Sequence, residues 1–182
     1  MSSPVPIVPL ESAHLPALRG FFDGLPEGDL TFIKEDVRDP AVAEDWVVPG
    51  RRARRWVATN GDRVLALVAV LPLHGWSSHV GELRLVVDPA VRGHGLGSKL
   101  ARHALREALA MDLRKVVVEV VAEQESAVRM FNDLGFRGEA LLSCHIRDRA
   151  GELQDLLVLA YEPAEEWSAL NSLGVEQELG AS

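Results

Sequence analysis

Leu83-Arg84-Leu85-Val86-Val87-Asp88-Pro89-Ala90-Val91-Arg92-Gly93-His94-Gly95-Leu96-Gly97-Ser98 runs from an apolar, β-branched segment through a proline and a glycine-rich turn into an amphipathic helix. This is how an anion site is built from backbone. Glycines let the chain approach a ligand closely, and the first N–H groups of a helix have no partner within it. The helix dipole adds to them, so a phosphate or pyrophosphate is favoured at such a turn. The loop reads Arg92-x-x-Gly95-x-Gly97, which is neither a Walker loop, lacking Gly-Lys-Ser/Thr, nor a G-x-G-x-x-G turn.

Outward from this stretch, the sequence supplies a mixed α/β pattern. Val5 to Val8 is a short, proline-flanked strand suited to a sheet edge. Ser12 is placed to cap a helix reaching Phe22, with Leu15, Leu18, Phe21 and Phe22 on one face. A weaker helix is expected around Val42 to Trp46, with Pro40 interrupting the pattern before it. Trp56 to Thr59 and Val64 to Leu71 flank Asn60-Gly61-Asp62, a strong hairpin turn because Asn-Gly accepts positive φ. His74 to His79 link this hairpin to a strand at Glu82–Val87, and the helix after the glycine loop spans about 97 to 111. Leu96, Leu100, Ala104 and Ala108 share its apolar face. Val116 to Val121 is almost wholly apolar, as a strand covered on both faces should be. Ala127, Met130, Phe131 and Leu134 mark a short helix capped by Ser126 and closed by Gly135 and Phe136. Leu141–Ile146 and Leu156–Tyr161 form a last hairpin around Asp148 to Gly151.

With these elements in place, two segments carry a resemblance. Arg-x-x-Gly-x-Gly after a strand ending in Val-x-Pro resembles the acetyl-CoA loop of GCN5-related N-acetyltransferases. Downstream, Val116-Val117-Val118-Glu119-Val120-Val121 followed by Ala127-Val128-Arg129-Met130-Phe131-Asn132-Asp133-Leu134-Gly135-Phe136 is similar to that family's strand and Ala-x-x-x-aromatic-x-x-x-Gly-Phe segment. The resemblance covers residues 56 to 161 and only loosely the first fifty. It implies a GNAT-like fold, a mixed central sheet flanked by helices. One acetyltransferase-like domain is expected over residues 1–163, followed by a short acidic tail, 164–182, with a helix within 165–173.

Composition agrees with that class. A chain of 182 residues, 47% hydrophobic and 25% charged, is large enough for one well-filled core. Its net charge of −8 argues against a nucleic-acid partner, since no basic stripe is visible beyond Arg51-Arg52-Ala53-Arg54-Arg55. An acidic protein with a basic loop suits an anionic cofactor and a cationic amine. Cys144 is the single cysteine, which rules out an internal disulfide and fits a reducing cytoplasm. No apolar run approaches the ~20 residues of a membrane span, and the start lacks a signal-peptide pattern. A cytoplasmic protein is therefore expected, without membrane, nucleic acid or metal, and with a homodimer left open.

The function implied is acetyl transfer from acetyl-CoA, the co-substrate, directly to an amine of a small molecule or protein. By resemblance, backbone groups of Leu85, Val86 and Val87 pair with the pantetheine arm. Amides of Gly93, His94, Gly95, Leu96, Gly97 and Ser98, with Arg92 at the loop entrance, hold the pyrophosphate. An amine with a pKa near ~10 must lose a proton before it attacks. Glu119 is the first candidate base. It lies in an apolar strand, where a carboxylate needs a partner and its pKa rises, and it falls where ribosomal-protein alanine acetyltransferases carry their proton acceptor. Glu82, at the start of the preceding strand, is the second, and His145 and His79 are lesser relay candidates.

Two positions depart from the family. Phe131 stands where many members carry a thiolate-protonating tyrosine, and Gln124 where they often carry a cofactor-contacting asparagine. Either the thiolate leaves unaided, with a pKa near ~8.5, or Cys144, Ser143, Tyr161 or a water supplies the proton. A third possibility is a non-catalytic acyl-CoA-binding or regulatory module. A nucleotide binder is a weaker rival, disfavoured by the missing Walker lysine. Core packing is the expected role of Trp46, Trp56 and Trp167, with Trp76 partly exposed, and Arg51–Arg55 is expected to be a solvated face.

Overall fold

A computed structural model describes residues 5–30 and 33–163. Seven strands form one mixed sheet: β1 (Ile7–Pro9), β2 (Arg54–Asn60), β3 (Arg63–Pro72), β4 (Val80–Val87), β5 (Lys115–Val121), β6 (Arg137–Arg147) and β7 (Leu153–Tyr161). Their order across the sheet is β1-β2-β3-β4-β5-β7-β6. The helices are α1 (Leu15–Asp23), α2 (Glu27–Leu30), α3 (Pro40–Trp46), α4 (Leu96–Ala110) and α5 (Glu125–Asp133).

The period-two alternation of the central strands assigns each face to one helical layer. Trp56, Ala58, Val68, Val70 and Leu83 pack with Leu100, Ala101, Ala104 and Leu105 of α4 and Phe131 of α5. Val57 and Leu67 face the other way and pack with Leu18, Phe21 and Phe22 of α1, and with Leu25, Leu30 and Val37. Val86, half-buried, belongs to this second layer.

Local chemistry explains the element ends. The β2–β3 turn places Gly61 at φ +60, and the two strands pair across Asn60 and Arg63. Pro40 starts α3 rather than interrupting it, because a first-turn proline loses no hydrogen bond. The Asp39 carboxylate accepts from the Ala41 N–H (2.9 Å) as its cap. Ser12 does not cap α1: it opens a short 3₁₀ turn, and α1 begins at Leu15. Gln124, not Ser126, precedes α5. Gly135 at φ +98 closes α5, with Phe136 N–H donating to Phe131 C=O (3.1 Å) and Gly135 N–H to Asn132 C=O (3.0 Å).

One further expectation needs correction. β5 is covered fully on one face only: Val116, Val118 and Val120 are buried, whereas Val117 is half-buried and Glu119 exposed. The opposite face of β5 borders a cleft, which is why a carboxylate sits in a valine run. The last hairpin also inserts its second strand next to β5 and leaves β6 at the edge, so Leu141 and Leu142 are exposed. The acidic tail, its expected helix and Trp167 lie outside the described residues.

Candidate active site

β4 and β5 are parallel neighbours only over Val80–Glu82 and Lys115–Val117. Beyond that rung they part, although β4 continues to Val87 and β5 to Val121. The opening leaves β4 with one paired edge and one bare edge. Leu73 N–H donates to Val80 C=O and Asp88 N–H to Leu65 C=O, both 2.9 Å, with an unbroken register between. Bonded residues alternate in an antiparallel ladder, so even-numbered positions of β4 face β3. The main-chain groups of Leu83, Leu85 and Val87 therefore point into the gap, while those of Val86 are turned to β3. The Val87 carbonyl is taken by Arg92 Nε (2.9 Å).

The gap ends at the glycine loop. Gly93 (φ +76) and Gly95 (φ +80) are left-handed, and a Cβ at either would enter open space. Gly95 is the N-cap of α4, so the amides of Leu96, Gly97 and Ser98 have no acceptor within the helix. Among the described residues no backbone acceptor takes them either. Gly97 has a different task. A Cβ there would lie 3.3 Å from Met130 Sδ and 3.6 Å from Val87 Cγ2, so its bareness lets α4 approach β4 and α5.

Loop and gap open into one cleft of about 800 Å³. Leu85, Val87, Gly93, Gly95, Gly97, Ser98, Gln124 and Phe131 line it, as do Val86, Arg92, Glu82 and Glu119. Arg92 is spent internally: besides Val87 it pairs with Asp29 of α2 (2.9 Å), holding the loop to the α1–α3 layer. His94 is exposed, and its Nδ1 lies 2.8 Å from the Arg92 carbonyl. Phe131 is buried with its ring edge-on to Phe136, 5.2 Å between centroids.

On the far side of the sheet, a charged cluster faces the cleft and joins the two candidate bases to Lys34, Arg84 and Glu35, which the sequence reading did not single out. Glu82 accepts from Arg84 Nε (2.8 Å) and Nη2 (3.0 Å) and from Lys34 Nζ (2.8 Å). Lys34 Nζ also lies 2.7 Å from Glu119 Oε2. Arg84 pairs in addition with Glu35. Burial pushes the Glu82 carboxyl up, but the Arg84 and Lys34 hydrogen bonds outweigh it and hold its pKa below the ordinary value. Burial likewise works against the Lys34 ammonium, yet its bonds to Glu119 and Glu82 raise its pKa. Arg55 stacks over Trp46, its guanidinium carbon 4.6 Å from the ring centroid. Burial, aided by the Arg84 and Arg51 charges and opposed by Glu35, pulls Arg55 down to about 10.

The lesser proton candidates lie elsewhere. Cys144 is exposed in a break of the β6 register, at φ +53, with its N–H on Asp155. Ser143, His145 and His79 are exposed and do not line the cleft. Tyr161 packs on Phe136 (5.6 Å) and pairs with Val116, at the closed end of β5. Trp56 is core, as expected; Trp76, at 96% exposed, is almost fully rather than partly exposed, and Trp46 lines the cleft. Among the described residues no His/Cys/Asp/Glu group could hold a metal ion, and no helix is long and apolar enough to cross a membrane.

The sequence model of the Acetyltransferase (GNAT) family matches residues 23–136. The chain belongs to this family. This GNAT is 33% identical over 104 residues to the uncharacterized N-acetyltransferase YjgM of Escherichia coli, a match covering 55% of this chain and 61% of that one. It is 32% identical over 123 residues to the mycothiol acetyltransferase of Catenulispora acidiphila, covering 65% and 37%. The chain thus spans less than two thirds of these curated relatives. Its fold is that of the ribosomal-protein-alanine N-acetyltransferase of Brucella melitensis: TM-score 0.77, 21% identity, 87% of this chain and all of that one. It is likewise that of an acetyltransferase from Salmonella typhimurium solved with its cofactor acetyl-CoA: TM-score 0.72, 18% identity, 88% and 94% covered.

Proposed function

We propose that this GNAT transfers an acetyl group from acetyl-CoA directly to a primary amine. The observation that carries this is the bare edge of β4, which leads straight to the unpaired amides of the glycine loop. A pantetheine-like amide chain needs a strand edge, and a diphosphate needs convergent N–H donors. The residues present fit both. Leu85 N–H and C=O and Val87 N–H are available to the first, while Gly93 and Gly95 offer the second bare backbone with open space beside it. When bound, acetyl-CoA supplies an acetyl thioester.

The chain's own residues do the rest. Glu82 and Glu119 face the amine end of the cleft from adjacent strands. Glu82 is occupied by three hydrogen bonds and held deprotonated, so it orients. Glu119, its side chain 31% exposed and bonded to Lys34, is the better placed to accept a proton once that lysine moves. Phe131 closes the floor with an apolar ring and has no proton to offer, and Tyr161 is spent in packing, so the thiol's own acidity carries the departure. Cys144 lies outside the cleft, which favours direct attack over an acyl-enzyme.

The test is a panel of primary alkylamines, amino acids and peptide N-termini, read by release of free thiol from acetyl-CoA. Release that depends on one amine class supports the proposal. Coenzyme A binding with no release across the panel would make the chain an acyl-CoA-binding module instead.

A further inference from the structure

Among the charged side chains that line the cleft, six are linked through ion pairs or close charge contact into one cluster: Lys34, Glu35, Arg55, Glu82, Arg84 and Glu119. Three are cations and three anions, so the cluster is balanced as it stands. Glu82 and Glu119 project on one side of adjacent strands, Glu82 at the last paired rung opposite Val117 and Glu119 two residues further on. Their carboxylates meet across the mouth of the strand opening, and a single ammonium joins them, 2.8 and 2.7 Å away. That ammonium belongs to Lys34, which enters from the segment between α2 and α3 with its side chain 45% exposed rather than anchored in the core.

An amine acceptor arrives mostly as an alkylammonium near neutral pH. Added to this cluster, it makes four cations against three anions around one confined pair of carboxylates. Like charges at hydrogen-bond range repel, and in a partly dry cleft water screens them poorly. The balance is kept only if the newcomer takes the place of a cation already present. Arg84 is held by two carboxylates, one of them through two of its nitrogens, and Arg55 lies over Trp46. Lys34 is the one on a long, half-exposed stem, bearing the same chemical group as the acceptor.

We propose that Lys34 is a built-in placeholder for the acceptor: its ammonium fills the Glu82–Glu119 clamp until the primary ammonium of the acceptor displaces it. The word acceptor rests on the transferase function proposed above; the clamp itself does not. The class selected is an unbranched primary alkylammonium, such as a lysine-like side chain or an aliphatic diamine. A quaternary ammonium has no N–H to share between the carboxylates, and an aromatic amine carries no charge to replace.

The experiment is substitution and refilling. Lys34→Ala removes three methylenes and the amine, which n-propylammonium chloride restores as a separate molecule. Isothermal titration without coenzyme should show propylammonium binding the variant at least tenfold more tightly than the wild type. Tetramethylammonium at the same ionic strength should bind neither, and adding Glu119→Gln should erase the gain. A variant that folds only when propylammonium is present meets the prediction as well. Equal affinities for variant and wild type overturn the placeholder, as does equal binding of tetramethylammonium or a variant that stays unfolded in both salts. Thiol release with propylamine is read separately. Binding without release keeps the clamp and removes the transferase function, whereas release with unchanged Lys34→Ala affinity does the reverse.

Discussion

Gly95→Ala separates the two things a left-handed glycine can do. Gly95 sits at φ +80, ψ 1 as the N-cap of α4, and no atom lies within 4 Å of the place a Cβ would take. The methyl group therefore meets no clash, and the stability cost is the left-handed strain of an L-residue, about 1–2 kcal/mol. For a domain this size that lowers Tm by roughly 2–8 °C. Gly61, at φ +60 in the β2–β3 turn with equally open surroundings, gives the same strain far from the loop. Coenzyme A binding should part the two. In the proposed complex the diphosphate lies against the Gly95 backbone, so an added methyl group crowds it, and losing one charge-assisted hydrogen bond there costs about 1.5–3 kcal/mol, or roughly 10- to 150-fold in Kd. Calorimetric titration should show that loss in Gly95→Ala and less than a twofold change in Gly61→Ala. If both variants lose stability alike and bind coenzyme A alike, the loop is a turn and not an anion cradle.

Other expectations follow from the same geometry. Glu119→Gln should lower kcat by about 10²–10⁴-fold and flatten the rise of rate with pH, as loss of a general base does; an unchanged pH–rate profile would take Glu119 out of that role. In unfolding titrations of wild type and Lys34→Met, the stability difference should be level across neutral pH. Glu82 has its carboxyl below the ordinary 4.5, so its share is present above that value and lost as pH falls through the folded pKa. Lys34 is raised above 10.5, so its share is full below that value and lost as pH climbs through the folded pKa. A difference that persists at both extremes would contradict the pairing. Phe131→Ala, emptying a site buried against Phe136 but open to the cleft on one side, should cost about 3 kcal/mol in thermal melts. Gly81→Ala places a Cβ 2.6 Å from Leu113 Cδ1, the movable end of a side chain, and should destabilise by about 1 kcal/mol; a more stable variant would show that contact to be slack.

What sequence could and could not reveal divides by range. The β4–loop–α4 segment was legible because its features are local: a β-branched run, glycines that tolerate positive φ, and an apolar stripe along α4. The β5 valines misled, since a strand bordering a cleft looks apolar on both sides, and only Glu119 marked the open face. Glu82 and Arg84 alternate with Leu83 and Leu85, a period-two signal of one polar face that was there to be used. Lys34 had no such signal. Its partners are 48 and 85 positions away, and the contact exists only because the segment after α2 crosses the parted strands. The swap of β6 and β7 was equally hidden, since either strand of a hairpin can pair with β5.

The most direct measurement is a crystal structure of the protein grown with acetyl-CoA. The pantetheine arm should pair with the main chain of Leu85 and Val87, and the diphosphate should lie on the amides between Gly93 and Ser98. Density for the ligand outside the β4–β5 opening, with those amides bound to protein or solvent instead, would contradict this placement.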